Sequence, residues 1–421
     1  MQPPREQNPG KPDSDKGNPG KGNPGRPLSD IPGCPFENIP DPGLEAGQID
    51  EITQLMVKLL DKRYPVTADK LKFLSQHYPD SIRFFRGVHP KSHGCVNAVF
   101  EVDPDLPKEY RVGLFNNPGK SFRAHIRFSN AAGLLGPDID AAGRHGSRGM
   151  AIKVFNVGGN VLSDDHGAHN QDFLMINQPN FAFANSEDYL RLNRVLDTQG
   201  DNPNGFFGPH ILNDPALSKT LSEAAKQSIG KYIEAEKIEA DDIKRISDSF
   251  TIVGQIASTP VANPLAIQYF SAAPFLFGPD RVMKFSVRPR FPMPASALPK
   301  SPSDNYLRET LSETMQRKGT IIFDFVVQVR NEVPEEEIEN ASTIWKETST
   351  DPNEKVFPFV RVAAVTIESP QNYIDTANAI SRCEKMAFTP WHCLVEHQPI
   401  GGINRLRKAV YDASATRRFQ K

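Results

Sequence analysis

The chain has 421 residues, with 49 Lys and Arg against 51 Asp and Glu and a formal net charge of -2. That balance excludes a general nucleic-acid binder, which carries a basic excess. No apolar run reaches the roughly 18 residues of a membrane span, and the opening MQPPREQNPGKP lacks the apolar core of a secretory signal. A soluble cytoplasmic protein is expected, built as two or three domains or as one large barrel with helical additions.

Residues 1–43 hold 11 Pro and 7 Gly, with a near-repeat GNPGK/GNPGR from Gly17 to Arg26. Such a segment buries too little apolar surface to offset its ordering entropy, so a disordered arm is expected ahead of one folded domain at 44–421. The arm has two readings: a solvated tail, or a partner-binding arm that laces a homodimer. Apolar Ile52, Leu55, Met56, Leu59 and Leu60 follow helical spacing and predict an amphipathic helix over 49–63. The cysteines Cys34, Cys95, Cys383 and Cys393 show no C-x-x-C spacing and are read as mostly buried thiols, with Cys34 in the arm.

Short strands follow. CVNAVFEV alternates with Val96, Ala98, Phe100 and Val102 on one face, and AHIRFSN sets Arg127 and Ser129 opposite Ile126 and Phe128. GMAIKVF and FLMIN continue the pattern. Residues 185–250 read as helical. Strands return in LAIQYFSAAPFLFGPDRVMKFSVRP, whose FGPD predicts a hairpin turn, then in TIIFDFVVQVR and FPFVRVAAVTIES. The last 50 residues read as helical again. About eight strands interrupted by helices predict an α+β protein: a closed antiparallel β barrel with helical insertions and a C-terminal helical segment.

Three clusters carry candidate chemistry. RGVHPKSHGC places His89 and His93 beside Arg86 and Lys91. Pro90 and Gly94 argue against a helix, and in an extended chain the two rings stand about 13 Å apart, too far to share a metal. A lone histidine is more often structural than catalytic. In RFSN, an inward Arg127 needs an anionic partner, a carboxylate or a cofactor propionate, while a polar outer face is the alternative. In RLRKAVYDASATRRFQK, Arg407, Tyr411 and Arg418 share one helical face. Positive neighbours favour the phenolate, a hard ligand for ferric iron; an ordinary basic surface helix is the alternative.

Taken together these clusters resemble the haem catalase superfamily, closest to its small catalase-like members (catalase-related peroxidases and allene oxide synthase-like proteins) that lack a C-terminal helical domain. The pattern R-x-V-H-x-K is matched by Arg86-Gly87-Val88-His89-Pro90-Lys91. V-R-F-S is matched by Ile126 to Ser129, and R-G-F-A-V-K by Arg148 to Lys153. R-x-x-x-Y with an Arg seven beyond is matched by Arg407, Tyr411 and Arg418, and AFTP at 387–390 resembles the segment before the tyrosine helix. The resemblance spans about residues 83–421, and the chain ends ten residues after Tyr411.

The resemblance implies haem b, with iron held by Tyr411 and Arg407 stabilising the phenolate. It makes His89 the distal acid/base, oriented by Ser129, and gives Arg86, Arg127 and Arg418 to the haem propionates. For the distal amide a gapless match falls on His169, and Asn170 is preferred chemically. Phe181, with Phe183 close by, is expected to stack on the haem. One extra residue between His89 and Phe100-Glu101-Val102 predicts a bulge and leaves His93 as a fallback distal residue. The implied function is cleavage of the O–O bond of hydrogen peroxide, a catalase- or peroxidase-type answer to oxidative stress. The alternatives are a fatty-acid hydroperoxide enzyme of the allene oxide synthase type and a non-enzymatic haem-binding barrel. The allene oxide synthase branch carries Thr before its distal His; Val88 favours hydrogen peroxide.

Overall fold

The computed structural model describes residues 36, 37, 39, 41–64, 85–291, 298–317, 319–368 and 377–419. Cys34 and most of the expected arm lie outside them. Nine strands form one sheet: β1 Ser92–Val102, β2 Ser121–Asn130, β3 Arg148–Val154, β4 Gln171–Ile176, β5 Tyr269–Phe270, β6 Phe275–Leu276, β7 Val282–Pro289, β8 Thr320–Arg330 and β9 Val360–Glu368. All pairings are antiparallel, and β5 joins both β4 and β7, so every strand except β6 belongs to a closed ring of eight. The expected α+β barrel is what forms. The FGPD segment turns β6 into β7, with the Phe277 amide donating to the Arg281 carbonyl at 2.7 Å.

Alternation fills the barrel. Val96, Ala98 and Phe100 of β1, Ile126 and Phe128 of β2, Ile152 of β3, Phe285 of β7 and Phe325 of β8 meet in one buried cluster. Phe173 and Phe325 lie 4.6 Å apart between ring centroids, and Phe100 and Phe325 5.3 Å. These side chains fill the interior of the ring, which leaves its outer face for a ligand site. The outward positions form straight rows. Arg127, Ala151 and Leu174 make one row across β2, β3 and β4; Ser129, Gly149 and Ile176 make the next.

The main helices are α1 Pro42–Arg63, α2 Ser186–Thr198, α3 Asn204–Asn213, α4 Glu223–Ala235, α5 Ala240–Ser258, α6 Tyr306–Arg317, α7 Ala377–Lys385 and α8 Gly402–Phe419, and α1, α2, α5 and α8 lie over that outer face. Ile52, Met56 and Leu60 of α1 pack with Leu190 of α2 and Ile403, Leu406 and Val410 of α8. The apolar stripe read from the sequence is the buried one. No described helix is long and apolar enough to cross a membrane.

Three expectations need correction. Helix α1 begins at Pro42 rather than near 49, because Asp41 caps it, accepting from the Leu44 amide at 2.9 Å, with Pro in the first turn. Order also begins before Leu44. Glu37 pairs with Arg405 at 2.7 Å and accepts from the Gly401 amide at 2.6 Å, while Phe36 packs on the cluster of Leu276, Trp345 and Ile400. The Pro and Gly content averaged over the arm hides these two anchoring side chains. Cys95 and Cys383, 288 residues apart, form a disulfide rather than two thiols; Cys393 is a buried thiol as expected. The predicted bulge is present. Ser92 pairs with Ser129 and Gly94 with Phe128, which leaves His93 as the extra residue.

Candidate functional site

A cavity of about 450 Å³ lies between the outer face of β2–β4 and helices α1, α2, α5 and α8. His89, Ser129, Arg86, Arg127, Phe181, Arg407, Tyr411 and Arg418 all line it. Its floor is made partly of the two outward rows, and β3 contributes only Gly149 and Ala151 to them. Small residues on the middle strand leave the space that larger ones would fill.

His89 sits just before β1 with φ +59°, a left-handed backbone that a non-glycine residue adopts at a cost of about 1–2 kcal/mol. Two contacts hold it. Its Nδ1 is 3.0 Å from Ser129 Oγ, and its carbonyl accepts from Arg127 Nη2 at 2.9 Å. Gly149 supplies the space beside it: a Cβ there would come within 2.5 Å of His89 Cε1 and 2.9 Å of Ser129 Oγ. Burial, followed by the positive charges of Arg127, Arg407 and Arg86, pushes the His89 pKa down to about 3. The imidazole is therefore neutral at physiological pH, an acceptor whose conjugate acid gives its proton up readily.

The arginines converge on one carboxylate that the sequence reading did not single out. Glu384 of α7 lies 2.9 Å from Arg127 Nε and 3.4 Å from Arg86 Nε. Arg418 donates to the Glu384 carbonyl at 2.6 Å, and Arg86 to the Met386 carbonyl at 3.0 Å. Arg127 sits on the barrel's outer face rather than inward, yet helix α7 buries it there and Glu384 supplies its anionic partner. Burial alone would raise the Glu384 pKa, but Arg127, Arg86 and Arg418 outweigh it and hold the carboxyl ionised. Burial pushes Arg418 down to about 10 against the pull of Glu384. Three guanidinium groups face one carboxylate: Arg86 Nε reaches Glu384 only at 3.4 Å, and the buried Arg418 Nε has no hydrogen-bond partner among the described residues. The cluster has capacity for further negative charge.

Tyr411 and Arg407 lie one turn apart on α8, with the guanidinium carbon 5.6 Å from the tyrosine ring centroid. Arg407 is held by a 3.0 Å hydrogen bond to Asn404 Oδ1. Phe181 packs 6.0 Å from Phe183 and 6.1 Å from Tyr189.

Three candidates are not brought to the cavity. Asn170 is buried elsewhere; its Oδ1 accepts from the Asn156 amide at 3.2 Å and its Nδ2 donates to Asp165 at 3.1 Å. The reason is strand length. Ile176 stands in the Ser129 row, and Asn170 is three two-residue steps back along the chain, roughly 20 Å away. His169, the gapless match, is exposed beside it. His93, the fallback, points away and bonds to Asn130 Oδ1 at 2.9 Å within a buried network that includes Asp138. The amide that does line the cavity is Asn193 of α2, which no motif marked.

Solved catalases share this fold. A fungal catalase superposes with a TM-score of 0.52 at 16% identity, covering 83% of this chain and 61% of its own. Catalase A from Saccharomyces cerevisiae gives 0.51 at 14% identity, covering 83% of this chain and 64% of its own. This chain thus spans less than two thirds of the length of either. No family model matches the sequence, nor does any curated protein. At these identities the likeness is one of fold: in architecture, the chain is similar to catalases.

Proposed function

We propose that this chain is a haem b enzyme of the small catalase-like kind that cleaves the O–O bond of a peroxide, hydrogen peroxide first. The observation that carries the reading is the convergence of His89, Tyr411 and Arg86, Arg127 and Arg418 on one cavity from segments far apart in the chain. The residues fit the cofactor. Tyr411 offers a phenolic oxygen, an iron ligand type that haem proteins use. Three guanidinium groups around a single Glu384, one with an Nε lacking a partner among the described residues, suit further carboxylates. Ala151, Phe181, Leu174 and Val410 give apolar walls.

When bound, haem supplies the redox-active iron that O–O cleavage requires. The chain supplies the proton handling. His89, neutral and held at Nδ1 by Ser129, accepts a proton at Nε2 from one peroxide oxygen. It returns the proton to the other oxygen, which leaves as water or an alcohol. The Arg407 guanidinium lies over the Tyr411 ring, whose phenolic oxygen would hold the iron. Buried apolar walls keep bulk water from competing for these charges.

An organic hydroperoxide is the second reading. Leu192, Leu196, Val253 and Ile256 extend the cavity with apolar surface that hydrogen peroxide does not need, and Asn170 brings no amide to it. Oxygen evolution on adding hydrogen peroxide, compared with consumption of a fatty-acid hydroperoxide without oxygen release, separates the two. A protein that binds haem and turns over neither peroxide is a haem-binding barrel only.

A further inference from the structure

On the barrel's outer face, one row below the cavity floor, a second constellation forms. Asn97 of β1, His125 of β2 and Lys153 of β3 stand side by side, and Cys95 is the diagonal neighbour of His125. Helix α7 lays Cys383 over them. The two sulfur atoms and a His125 ring nitrogen all lie within 4.8 Å of one another. His125 has one ring nitrogen tied and the other without a hydrogen bond among the described residues. Its Nδ1 is hydrogen-bonded to Asn97 Oδ1 at 3.0 Å, which fixes the N–H on that side. Its Nε2 is buried and has no hydrogen-bond partner among the described residues. A buried ring nitrogen without a partner is costly, and one whose opposite nitrogen is tied to an amide oxygen is the arrangement of a metal-bound imidazole.

We propose that Cys95, Cys383 and His125 form a redox-gated site for a thiophilic divalent cation, zinc above all, which is filled when the Cys95–Cys383 disulfide is reduced. Two thiolates and a neutral imidazole are a zinc donor set, with the fourth tetrahedral position left to water. Ligand atoms around zinc stand about 3.3–3.8 Å apart, given bonds of about 2.0–2.3 Å, so the sulfur atoms must part and the trio, all within 4.8 Å, must adjust around the ion.

The redox step balances. A dithiol reductant gives two electrons and two protons, itself becoming a disulfide, and Cys95 and Cys383 become thiols. Binding one zinc ion then releases both thiol protons to solvent. Oxidation reverses this and expels the metal. Cys383 directly precedes Glu384, so either form of the clasp keeps α7 over the arginine cluster.

The test uses the full chain, oxidised or reduced with a trialkylphosphine, equilibrated with zinc chloride, gel-filtered and analysed for zinc and iron. The expected result is one zinc per chain in the reduced protein and none in the oxidised protein. His125→Ala leaves the disulfide free to form and should lower zinc affinity about 100-fold or more. Asn97→Ala should lower it about 10-fold through the ring it orients. Reduced protein that holds no zinc, or that unfolds with zinc present, overturns the proposal. So does His125→Ala binding zinc as the wild type does. Iron in the same samples reports on the haem reading, and the zinc result does not depend on it.

Discussion

Gly149 on β3 lies flat against the imidazole of His89: a Cβ at 149 would come within 2.5 Å of His89 Cε1. The glycine of the R-G-M-A-I-K stretch is therefore a positioning residue for the histidine 60 residues before it, and Ser129 completes the seat from β2. Gly149→Ala should keep haem, because Tyr411 and the arginines are untouched. It should slow the peroxide step about 10²-fold, as loss of an acid/base group does. His89→Ala should match it, and His93→Ala should not. Steady-state peroxide consumption with haem content measured in parallel checks this; a Gly149→Ala protein of normal rate removes the assigned role.

Glu384 is the only carboxylate among Arg86, Arg127 and Arg418 in the described structure. Glu384→Gln should leave the ligand-free protein less stable by about 3 kcal/mol, because a buried charge cluster loses its counter-ion. Bound haem, bringing its own carboxylates, should restore much of that loss. Thermal unfolding of apo and haem-loaded forms measures both, and equal losses in the two would contradict the pairing scheme.

Acid should destabilise the fold well above the carboxylate range. Burial pushes His93 and His397 down to about 4 and His89 to about 3, against an ordinary value of 6.5. Between those values the unfolded chain binds protons that the folded chain refuses, so stability is complete above pH 6.5 and falls as pH drops below it. Fully buried His93 and His397 each contribute up to about 1.4 kcal/mol per pH unit in that window. Tm should be flat from pH 8 to 7 and fall steadily from 6.5 to 4.5. A Tm unchanged down to pH 5 contradicts the neutral, buried state of these rings.

The start of the folded chain can be found by truncation. A protein beginning at Phe36 should unfold at the wild-type temperature. One beginning at Leu44 loses the Asp41 cap, the Glu37–Arg405 pair and the Phe36 packing, and should be less stable by about 1–3 kcal/mol. Equal Tm values would return the boundary to 43.

What the sequence made readable follows from local rules. Alternation in β1, β2 and β8 is a period-2 signal, and it marks the barrel interior residue by residue. The β5 and β6 strands are two residues each, too short for any period, and their existence depends on the ring closing. Arg407 and Tyr411 were readable as a pair because one helical turn places them together. Glu384 was not, since a lone acid between Cys383 and Lys385 gains meaning only when the fold brings Arg86 and Arg127 to it. The Cys95–Cys383 link spans 288 residues and obeys no spacing rule. Asn170 was misplaced because counting along a segment does not reveal which end of β4 faces the cavity.

The central claim is that Tyr411 holds a haem iron in the cavity beneath His89. The most direct measurement is the visible spectrum of the purified chain supplied with haemin, taken beside that of Tyr411→Phe. The account expects a Soret band with tyrosinate charge-transfer features in the wild type, and lost haem or altered charge-transfer bands in the variant. No Soret band in the wild type, or an unchanged spectrum and haem content in Tyr411→Phe, would contradict it.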